Sequence, residues 1–461
     1  MKRKEPLSEG QASAAKRPRA RVEVPDYHAT ASHTDEVTGL PIWPAPEAQM
    51  KQARDIILDC ARSQKRTMIV PDKDADGLSS GVILRRTLVL LGLKPDLIHV
   101  HLLSKGRTVH HEDERKAMAA VSPEYIFVLD QGSRKSGPLI DAPHTGLVID
   151  HHNATPEDFP EGSFFCTANK SPPVVTSALL TFLLCEPLHD GVRDETDWLC
   201  VVGTHGDLGN TLKWERPFPD MTPTLKKYTK KALNDVVSYV NAPRRTATYD
   251  VSSAFDALLT AVHPKDVLKH SRLLAARQEV NAEVERCTHT APKFSQDGKV
   301  AVFRIKSEAQ VHPVIATRWA GHLQSKALEI VMVANEGYLP NKVNFSCRVP
   351  RCAKSRDPPV DIIQSLKDYA SLKLVKNEDD ADANLPNGSE IPLLERLGDD
   401  FARGHVQASG GIVDVEQFEE LMRLMRVGEK KDKTKGAGPQ KGKKAIDAGQ
   451  SNKLTSYFGK K

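Results

Sequence analysis

Apolar and polar positions follow two different periods between residues 46 and 210. Some segments repeat apolar residues at helical spacing, and others are short β-branched runs bounded by turn residues. We predict helices at 50–64, 78–92, 112–121, 177–185 and 197–209, and strands at 66–71, 96–103, 124–130 and 146–152. Strands that alternate with helices favour a parallel sheet covered on both faces, and therefore an α/β fold class.

A second α/β pattern begins near residue 298, after a mostly helical region at 226–290. It predicts strands at 299–305, 328–335 and 342–349, and helices at 312–324, 361–370 and 415–425. Residues 375–390, "VKNEDDADANLPNGSE", are acidic and rich in turn residues, so we expect an insertion loop there.

These patterns divide the chain into five parts. We assign a basic N-terminal tail (1–44), a first α/β domain (45–253), a helical connector (254–290), a smaller α/β domain (291–428) and a lysine-rich C-terminal tail (429–461). Both tails hold few large apolar residues, and we therefore expect them to be disordered.

The composition is that of a globular protein. Of the 461 residues, 39% are hydrophobic and 27% are charged, and the net charge is +5 at pH 7. The sequence has no apolar run of the length that crosses a bilayer, so we expect no membrane partner. We interpret the seven scattered cysteines as reduced thiols of an intracellular protein.

Two basic clusters lie in the N-terminal tail. Their residues are Lys2, Arg3, Lys4, Lys16, Arg17 and Arg19. Their spacing resembles a bipartite nuclear import signal, which predicts a nuclear location. The alternative is a basic arm that contacts nucleic acid or solvent.

Acidic residues gather where the predicted strands end. The stretch "PDKDADGLSS" places Asp72, Asp74 and Asp76 on alternate positions between a strand and a helix. The other candidates, interpreted as lying at further strand ends, are Asp130, Asp150, His151, His152 and Asp207. Ligands bind beyond the carboxyl ends of parallel strands, so we expect these side chains on one rim. Crowded carboxylates repel one another unless a cation lies between them, and aspartate with histidine suits Mn²⁺ or Mg²⁺.

Each of these pieces alone is equally compatible with a turn or a helix cap. In this order, however, "DKDADG", "LDQG", "DHH" and "GD" resemble the four motifs of the DHH phosphoesterase superfamily. The segment "DKDADGLSS" is most similar to the corresponding motif of the RecJ-like branch. The resemblance covers roughly residues 66–428. It implies a parallel-sheet DHH domain joined by a helical connector to a smaller α/β DHH-associated domain.

The resemblance also implies a metal centre for two Mn²⁺ ions, with Mg²⁺ as an alternative. The implied metal ligands are Asp74, Asp76, Asp130, His151 and Asp207. The residues implied to act in catalysis are Asp76, Asp130, Asp150, His151 and His152. Among them, Asp150 and His152 have supporting or substrate-side roles, and Asp72 is expected to orient the other acids. Metal coordination activates water, so this chemistry requires no protein nucleophile.

The DHH-associated domain of the superfamily carries a Gly-Gly-Gly-His motif that holds substrate phosphate. Here "RGHVQASGG" keeps Gly404, His405, Ala408 and Gly410, whereas Ala402 and Arg403 replace the leading glycines. The segment "FSCR" is similar to the strand that carries the superfamily's substrate-binding arginine. The predicted substrate-binding residues are Arg348, Gly404, His405 and Gly410. The alternative is a surface charge and two ordinary turn glycines.

The function expected from these features is an Mn²⁺- or Mg²⁺-dependent phosphodiesterase, a single-strand DNA or RNA exonuclease of the nucleus. One alternative is hydrolysis of a small phosphoanhydride or a short oligonucleotide. Another, from a different class, is a non-catalytic replisome scaffold. Intact acids in all four motifs argue against the scaffold, and the basic tails favour a nucleic-acid substrate.

The C-terminal tail ends in "SNKLTSYFGKK". One helical turn would place Leu454, Tyr457 and Phe458 on the same face, as an anchor for a partner's groove. This stretch resembles the peptide that docks on the replication sliding clamp, although Ser451 stands where that motif usually has glutamine. We therefore predict a sliding clamp as a second partner, the alternative being a chance cluster.

Overall fold

The structure is a computed structural model, and it describes residues 42–169, 171–373, 391–398 and 401–429, together with Thr34 and Gly39. The predicted import signal, the insertion at 375–390 and the C-terminal peptide lie outside the described residues. Within the described part, no helix is both long enough and apolar enough to span a membrane.

The first half of the described chain forms a five-stranded sheet in the order β2-β1-β3-β4-β5, and every pair of neighbours is parallel. Its elements are α1 (Glu47–Ser63), β1 (Thr67–Pro71), α2 (Ala75–Leu90), β2 (Ile98–Val100), α3 (Glu112–Ala120), β3 (Tyr125–Leu129), β4 (Thr145–Asp150), β5 (Phe164–Thr167), α4 (Ser177–Cys185) and α5 (Gly191–Leu208). The predicted parallel sheet is confirmed. Strand β5 was not predicted, since it is a four-residue edge strand that begins with the exposed Phe164.

One sequence interpretation needs correction. Asp207 does not lie at a strand end, because it is the penultimate residue of α5, within the helix that was predicted at 197–209. The apolar residues before it are buried helix positions that pack on α2 and α4. A short apolar run does not by itself distinguish a buried strand from a buried helix.

A helical region follows the first sheet. It contains α6 (Thr222–Tyr228), α7 (Lys230–Asn241), α8 (Val251–Thr260), α9 (Pro264–Leu268) and α10 (Ser271–Thr288). Helix α7 packs on α5, and α8 packs on α2, so this region covers the first sheet's helices. Helix α10 instead contributes Ala276, Val280 and Val284 to a core shared with the second sheet.

The second sheet has six strands in the order β10-β11-β9-β8-β7-β6. Its elements are β6 (Lys293–Phe294), β7 (Val300–Ile305), α11 (His312–His322), β8 (Ile330–Asn335), β9 (Lys342–Arg348), α12 (Ile362–Ala370), α13 (Leu393–Arg396), β10 (Arg403–His405), β11 (Ala408–Asp414) and α14 (Val415–Leu424). Only the β7–β8 pair is parallel within this sheet, so it is mixed.

Alternate residues of the central strands enter two different cores. On β7, Val300 and Val302 face α12 and α14, whereas Ala301 and Phe303 belong to the core with α10 and α11. This two-residue period places helices on both faces of the second sheet.

Candidate metal centre and the cleft beside it

The turn after β1 places the first acids. Asp74 is the N-cap of α2, and its carboxylate accepts hydrogen bonds from the backbone N–H groups of Asp76 (3.1 Å) and Gly77 (3.3 Å). A Cβ atom at Gly77 would lie 2.6 Å from the backbone oxygen of Asp72, so only glycine allows the chain to turn this closely. The helix cap and the acidic cluster are thus built from the same residues.

Asp76 is fully buried and is held by another helix. Its two carboxylate oxygens accept hydrogen bonds from the backbone N–H groups of Ser177 (2.8 Å) and Ala178 (2.9 Å), at the start of α4. The unpaired N–H groups and the dipole of a helix N-terminus favour a carboxylate there. Asp76 is therefore fixed in position before any ligand binds.

Asp130 and His151 come from the ends of the two neighbouring strands β3 and β4. Asp130 has a φ of 61°, a left-handed conformation that aspartate tolerates better than most residues, and it accepts a 2.9 Å hydrogen bond from the Ser177 hydroxyl. The Nε2 atom of His151 lies 3.4 Å from Asp130, 3.3 Å from Asp207 and 3.9 Å from Asp76. His151 is thus the common neighbour of three acids from different parts of the chain.

Close helix packing brings Asp207 to this group. A Cβ atom at Gly203 would lie 2.3 Å from the Cβ of Ala178, and one at Gly206 would lie 3.0 Å from the Cβ of Ala75. Because these two positions lack side chains, α5 can approach α2 and α4 closely enough for Asp207 to reach His151. The signal in the sequence is the repeated glycine of "VVGTHGD".

Asp150 contacts the two histidines that follow it in the chain. It accepts hydrogen bonds from the Ser133 hydroxyl (2.6 Å) and the backbone N–H of His151 (2.8 Å), and one oxygen lies 2.8 Å from Nδ1 of His152. This contact orients the half-exposed imidazole of His152, which lines the cleft described below. The geometry suits the supporting roles that the resemblance implies for this pair.

The acids of the centre are hard to ionise together. Burial, followed by the charge of Asp207, raises the pKa of Asp76 to about 7. Burial and the charge of Asp76 likewise raise the pKa of Asp130 well above its usual value. Burial alone would lower the pKa of His151, but its contacts with Asp130 and Asp207 outweigh burial and raise it. Asp150 shows the opposite behaviour to Asp76, because His152, His151 and Ser133 overcome its burial and hold its pKa below the ordinary range.

The donor set fits divalent cations. Three groups have ligand atoms within 4.8 Å of one another, namely Asp76 with His151 and Asp207, Asp130 with His151 and His152, and Asp72 with Asp74 and Asp130. Carboxylate oxygens with imidazole and no thiolate suit Mn²⁺ or Mg²⁺. Since the three groups overlap at His151 and Asp130, the residues could hold two neighbouring ions. The five predicted metal ligands all lie in this cluster.

The second sheet carries the predicted substrate residues on its β9–β11–β10 side. Arg348 is held by two hydrogen bonds that its guanidinium donates to the Ser346 hydroxyl (2.9 Å) and the Cys347 carbonyl (2.8 Å). Strand pairing aligns Arg348 with Ala408, and Ala408 with His405. The backbones of Arg348, Ala408 and His405 thus follow one another across three neighbouring strands.

The two predicted glycines are required by the backbone itself. Gly404 has a φ of 102°, and a Cβ atom there would lie 2.7 Å from the carbonyl oxygen of Ala408. At Gly410 a Cβ atom would lie 2.4 Å from the carbonyl oxygen of Phe345. Glycine at these positions therefore allows the β10–β11 hairpin to close against β9.

The sequence interpretation missed a group of polar residues between the two sheets. Arg244 lies 3.6 Å from the Asp74 carboxylate and donates a 3.3 Å hydrogen bond to Gln310 of the second half. Burial, then the nearby charge of Arg244, lowers the pKa of Arg245 to about 9. Burial, then the charges of Arg348 and Arg245, lowers the pKa of His312 to about 3.

Three atoms of this group are buried without a hydrogen-bond partner among the described residues. They are Nε of Arg245, the hydroxyl of Tyr249 and Nδ1 of His312. Unsatisfied buried polar atoms are costly, and several in one place indicate a site for a polar ligand. The segment "NAPRRTATYD" gave little signal, because two adjacent arginines are usually a solvated turn.

A cleft of about 890 Å³ separates the metal centre from the hairpin of the second sheet. Its walls include Asp72, Asp130, Asp150 and His152 on one side and residues 401–404 on the other. The cleft also has a basic lining made of Lys73, Arg107, Arg134, Lys135, Lys367 and Arg403. It therefore combines an acidic floor with cationic walls.

Comparisons with known proteins agree with this arrangement. No protein-family model matches the chain. A segment of 186 residues is 27% identical to the single-stranded-DNA-specific exonuclease RecJ of Thermus thermophilus, and it covers 38% of this chain and 27% of that protein. This chain thus spans little more than a quarter of that relative's length.

Solved structures share the fold. The crystal structure of RecJ from Thermus thermophilus in complex with Mn²⁺ has a TM-score of 0.55 and 19% identity, over 84% of this chain and 55% of that one. A DHH domain described as a member of the s1p family of ribosomal proteins has a TM-score of 0.56 and 13% identity, over 82% of this chain and 90% of that one. This chain therefore shares its fold with RecJ and with this DHH domain.

Proposed function

We propose that this protein is a metal-dependent phosphodiesterase of the DHH type that hydrolyses single-stranded nucleic acid. The observation that carries the proposal is the cluster around His151, where three carboxylates lie within 3.9 Å of one imidazole nitrogen. One of the three, Asp130, lines a cleft with cationic walls. The Mn²⁺ named in the description of the Thermus structure supports the same cofactor here, with Mg²⁺ as an alternative.

Each half of the cleft has a distinct task in this reaction. Bound divalent cations would supply Lewis acidity toward a phosphoryl oxygen. The residues that would hold these cations are Asp74, Asp76, Asp130, His151 and Asp207. Arg348 at the end of β9 and Arg245 in the turn before α8 would bind the remaining phosphoryl oxygens by charge-assisted hydrogen bonds.

His152 is the residue placed to move a proton. Its Nδ1 lies 2.8 Å from an oxygen of Asp150, which fixes the orientation of the ring. Burial lowers the pKa of His152, but the charge of Asp150 outweighs burial and raises it, so the imidazolium is stabilised. We assign to His152 the donation of a proton from Nε2 to the leaving oxygen.

A nucleic acid fits the cleft better than a small phosphate does. The basic residues of its walls extend from Lys73 beside the metal centre to Lys367 on α12, so they could follow a chain of phosphates. The name of the RecJ relative, which specifies single-stranded DNA, supports this class of substrate.

The test is hydrolysis of end-labelled single-stranded DNA, single-stranded RNA and polyphosphate by the full-length protein, with Mn²⁺, with Mg²⁺ and with excess chelator. We expect metal-dependent shortening of at least one labelled oligonucleotide. Release of phosphate from polyphosphate alone would replace the nucleic-acid assignment with a phosphoanhydride hydrolase. No hydrolysis of any substrate would favour a non-catalytic scaffold.

We further propose that the protein acts in the nucleus and binds the replication sliding clamp through Leu454, Tyr457 and Phe458. The support is confined to sequence, namely the two basic clusters and the helical spacing of three apolar residues in a lysine-rich tail. Fluorescent fusions of the full chain, with and without substitution of Lys16, Arg17 and Arg19, test the location. Loss of nuclear accumulation in the substituted chain is expected.

Titration calorimetry tests the proposed binding of the C-terminal tail to the sliding clamp. A peptide of residues 448–461 should bind the clamp with a dissociation constant in the micromolar range. This corresponds to a binding free energy on the order of −8 kcal/mol. The double substitution Tyr457→Ala/Phe458→Ala should abolish binding, because it removes the aromatic anchors. Equal heats from both peptides, or none from the parent, would remove the clamp from the list of partners.

A further inference from the structure

The loop of residues 104–110, between β2 and α3, reaches from the first domain to the second. Lys105 donates a 2.9 Å hydrogen bond from its ammonium group to the backbone carbonyl of Glu308, and the same nitrogen lies 4.3 Å from the centre of the Tyr338 ring. His110, near the other end of the loop, lines the cleft. This segment, here called the latch loop, therefore joins the two domains beside the cleft.

The latch loop comes very close to the second domain at Gly106. This residue has a φ of 76°, and a Cβ atom there would lie 2.9 Å from Cδ1 of Leu339 and 3.1 Å from its Cδ2. A side chain at this position would displace either Leu339 or the domain that carries it. Glycine thus allows the two domains to approach one another to the observed distance.

The base of the latch loop is fixed within the first domain. The backbone N–H of Ser104 donates a 3.1 Å hydrogen bond to one carboxylate oxygen of Glu114, and the other oxygen lies 2.7 Å from Nε2 of His101. Glu114 is itself buried on α3. Because the base is anchored, a movement of the second domain must change the contacts of Lys105 and Gly106.

The surface that receives the latch loop is also rigid. The side chain of Asn335 is fully buried, and its oxygen accepts hydrogen bonds from the backbone N–H groups of Ser307 (3.0 Å) and Gly337 (3.1 Å). Its amide nitrogen donates a 3.0 Å hydrogen bond to the carbonyl of Ala309. Asn335 therefore ties the segment after β7 to the segment after β8, and Lys105 contacts both.

The segment after β7 continues toward the metal centre. The backbone N–H of Gln310 donates a 2.8 Å hydrogen bond to the carbonyl of Arg245, and its side-chain oxygen accepts a 3.3 Å hydrogen bond from Arg244. Arg244 in turn lies 3.6 Å from Asp74, and His312 follows two residues after Gln310. The contact at Lys105 thus acts on the same rigid unit that places these groups beside the acids.

We propose that Lys105 and Gly106 are positioning residues, which hold the second domain at the distance from the metal centre that substrate binding requires. This inference rests on the proposed function and adds to it the contact that closes the two domains on the substrate. One hydrogen bond and one half-exposed cation–π contact together favour the closed arrangement only about tenfold. The latch loop can therefore release the second domain when substrate enters or product leaves.

The experiment measures the separation of two fluorophores on the full-length protein in Mn²⁺. One is attached to Cys352, the exposed cysteine of the second domain, and the other to a cysteine introduced by Asp59→Cys on the exposed side of α1. The six other cysteines are buried. The variants are Lys105→Ala, Gly106→Ala and the double substitution Gly106→Ala/Leu339→Ala.

Two controls match these variants. Lys94→Ala removes an exposed lysine of the first domain. Gly92→Ala places alanine at a φ of 94°, where a Cβ atom meets nothing within 4 Å, so it reproduces the backbone strain of Gly106→Ala without the contact to Leu339.

We expect a longer mean separation in Lys105→Ala and in Gly106→Ala, and the parental separation in both controls. Adding Leu339→Ala to Gly106→Ala should return the separation toward the parental value, because it removes the side chain that the new Cβ meets. KM for a single-stranded oligonucleotide should rise about tenfold in Lys105→Ala, since apparent affinity falls with the closed fraction. The kcat at saturating substrate should stay within about twofold of the parent, because bound substrate restores the closed arrangement.

Equal separations in Lys105→Ala and Lys94→Ala would overturn the proposal. So would equal separations in Gly106→Ala and Gly92→Ala, which would show that Leu339 rotates away instead. A lower kcat with an unchanged KM in Lys105→Ala would also contradict a positioning role. If the parent protein hydrolyses no substrate, the proposed function fails, while the fluorophore separations still decide whether Lys105 and Gly106 position the second domain.

Discussion

The acids of the candidate metal centre and the buried cations near the second sheet are held in place by different means. The parallel sheet presents acids at adjacent strand ends, where Asp76 accepts two backbone N–H bonds from α4. The mixed sheet presents Arg348, the turn before α8 presents Arg245, and α11 begins with His312. Arg245 and His312 each have a buried polar atom without a partner among the described residues. The acidic half needs a cation and the cationic half needs an anion, so a metal-bound phosphate would complete both.

The acids and the arginines also differ in how their positions are fixed. The metal half is fixed by buried contacts between helices, including the close approach of Gly203 to Ala178. The cationic half is fixed at Arg348 by strand-internal hydrogen bonds, whereas Arg403 is exposed on a short hairpin. We infer that metal binding depends on the first domain alone and substrate affinity depends on both.

The strongest way to break the acidic half is Asp130→Asn. We expect kcat to fall by about 10³-fold, because the variant removes a charge shared by two of the metal-binding groups. The Mn²⁺-induced rise in melting temperature should also be lost. The control Asp55→Asn, on the exposed side of α1, should match the parent in both measurements. Parental turnover in Asp130→Asn would place the metal centre elsewhere.

The matching change in the cationic half is Arg348→Ala. We expect KM for an oligonucleotide to rise roughly 10- to 100-fold with a smaller change in kcat, because a charged contact to phosphate is removed. The Mn²⁺-induced thermal shift should persist, which distinguishes this variant from Asp130→Asn. Arg318→Ala, an exposed arginine of α11, is the control. Loss of metal binding in Arg348→Ala would contradict the division of tasks between the two domains.

The pH dependence of metal binding sharpens the comparison. Metal competes with protons for Asp76, whose pKa is raised to about 7, so this carboxylate is largely protonated below that value in the metal-free protein. We expect Mn²⁺ affinity to fall about tenfold per pH unit below pH 7 and to level off above it. Titration calorimetry between about pH 6 and pH 8 measures this. A profile that is flat across this range would show that Asp76 is not a ligand.

The smallest predicted effect concerns the hairpin. Gly404→Ala should destabilise the protein by about 1–2 kcal/mol, because alanine is strained at a φ of 102°. The new Cβ would also approach the Ala408 carbonyl. Gly137→Ala, where a Cβ atom meets nothing within 4 Å, is the matched control for thermal melting. Equal melting temperatures for both variants would show that the hairpin relaxes without cost.

Much of the first domain was predictable because its signals are local. Short β-branched runs that end in aspartate predicted β1, β3 and β4, and the parallel order of these strands brings Asp76, Asp130 and His151 together. The carboxyl ends of parallel strands meet at one edge whatever the details of packing, so the rim could be inferred without coordinates.

The sequence by itself determined the chemistry of the metal centre, since residue types and their positions after strands are written along the chain. Only the tertiary structure decided how Asp207 arrives, because its approach depends on how closely α5 packs on α2 and α4. It also decided which arginines face the centre. Arg244 and Arg245 resemble surface charges in the sequence, and the approach of Arg244 to Asp74 is set by contacts between residues far apart in the chain. Charged residues that face one another across a cleft leave no local pattern in the sequence, because a separate part of the fold positions each of them.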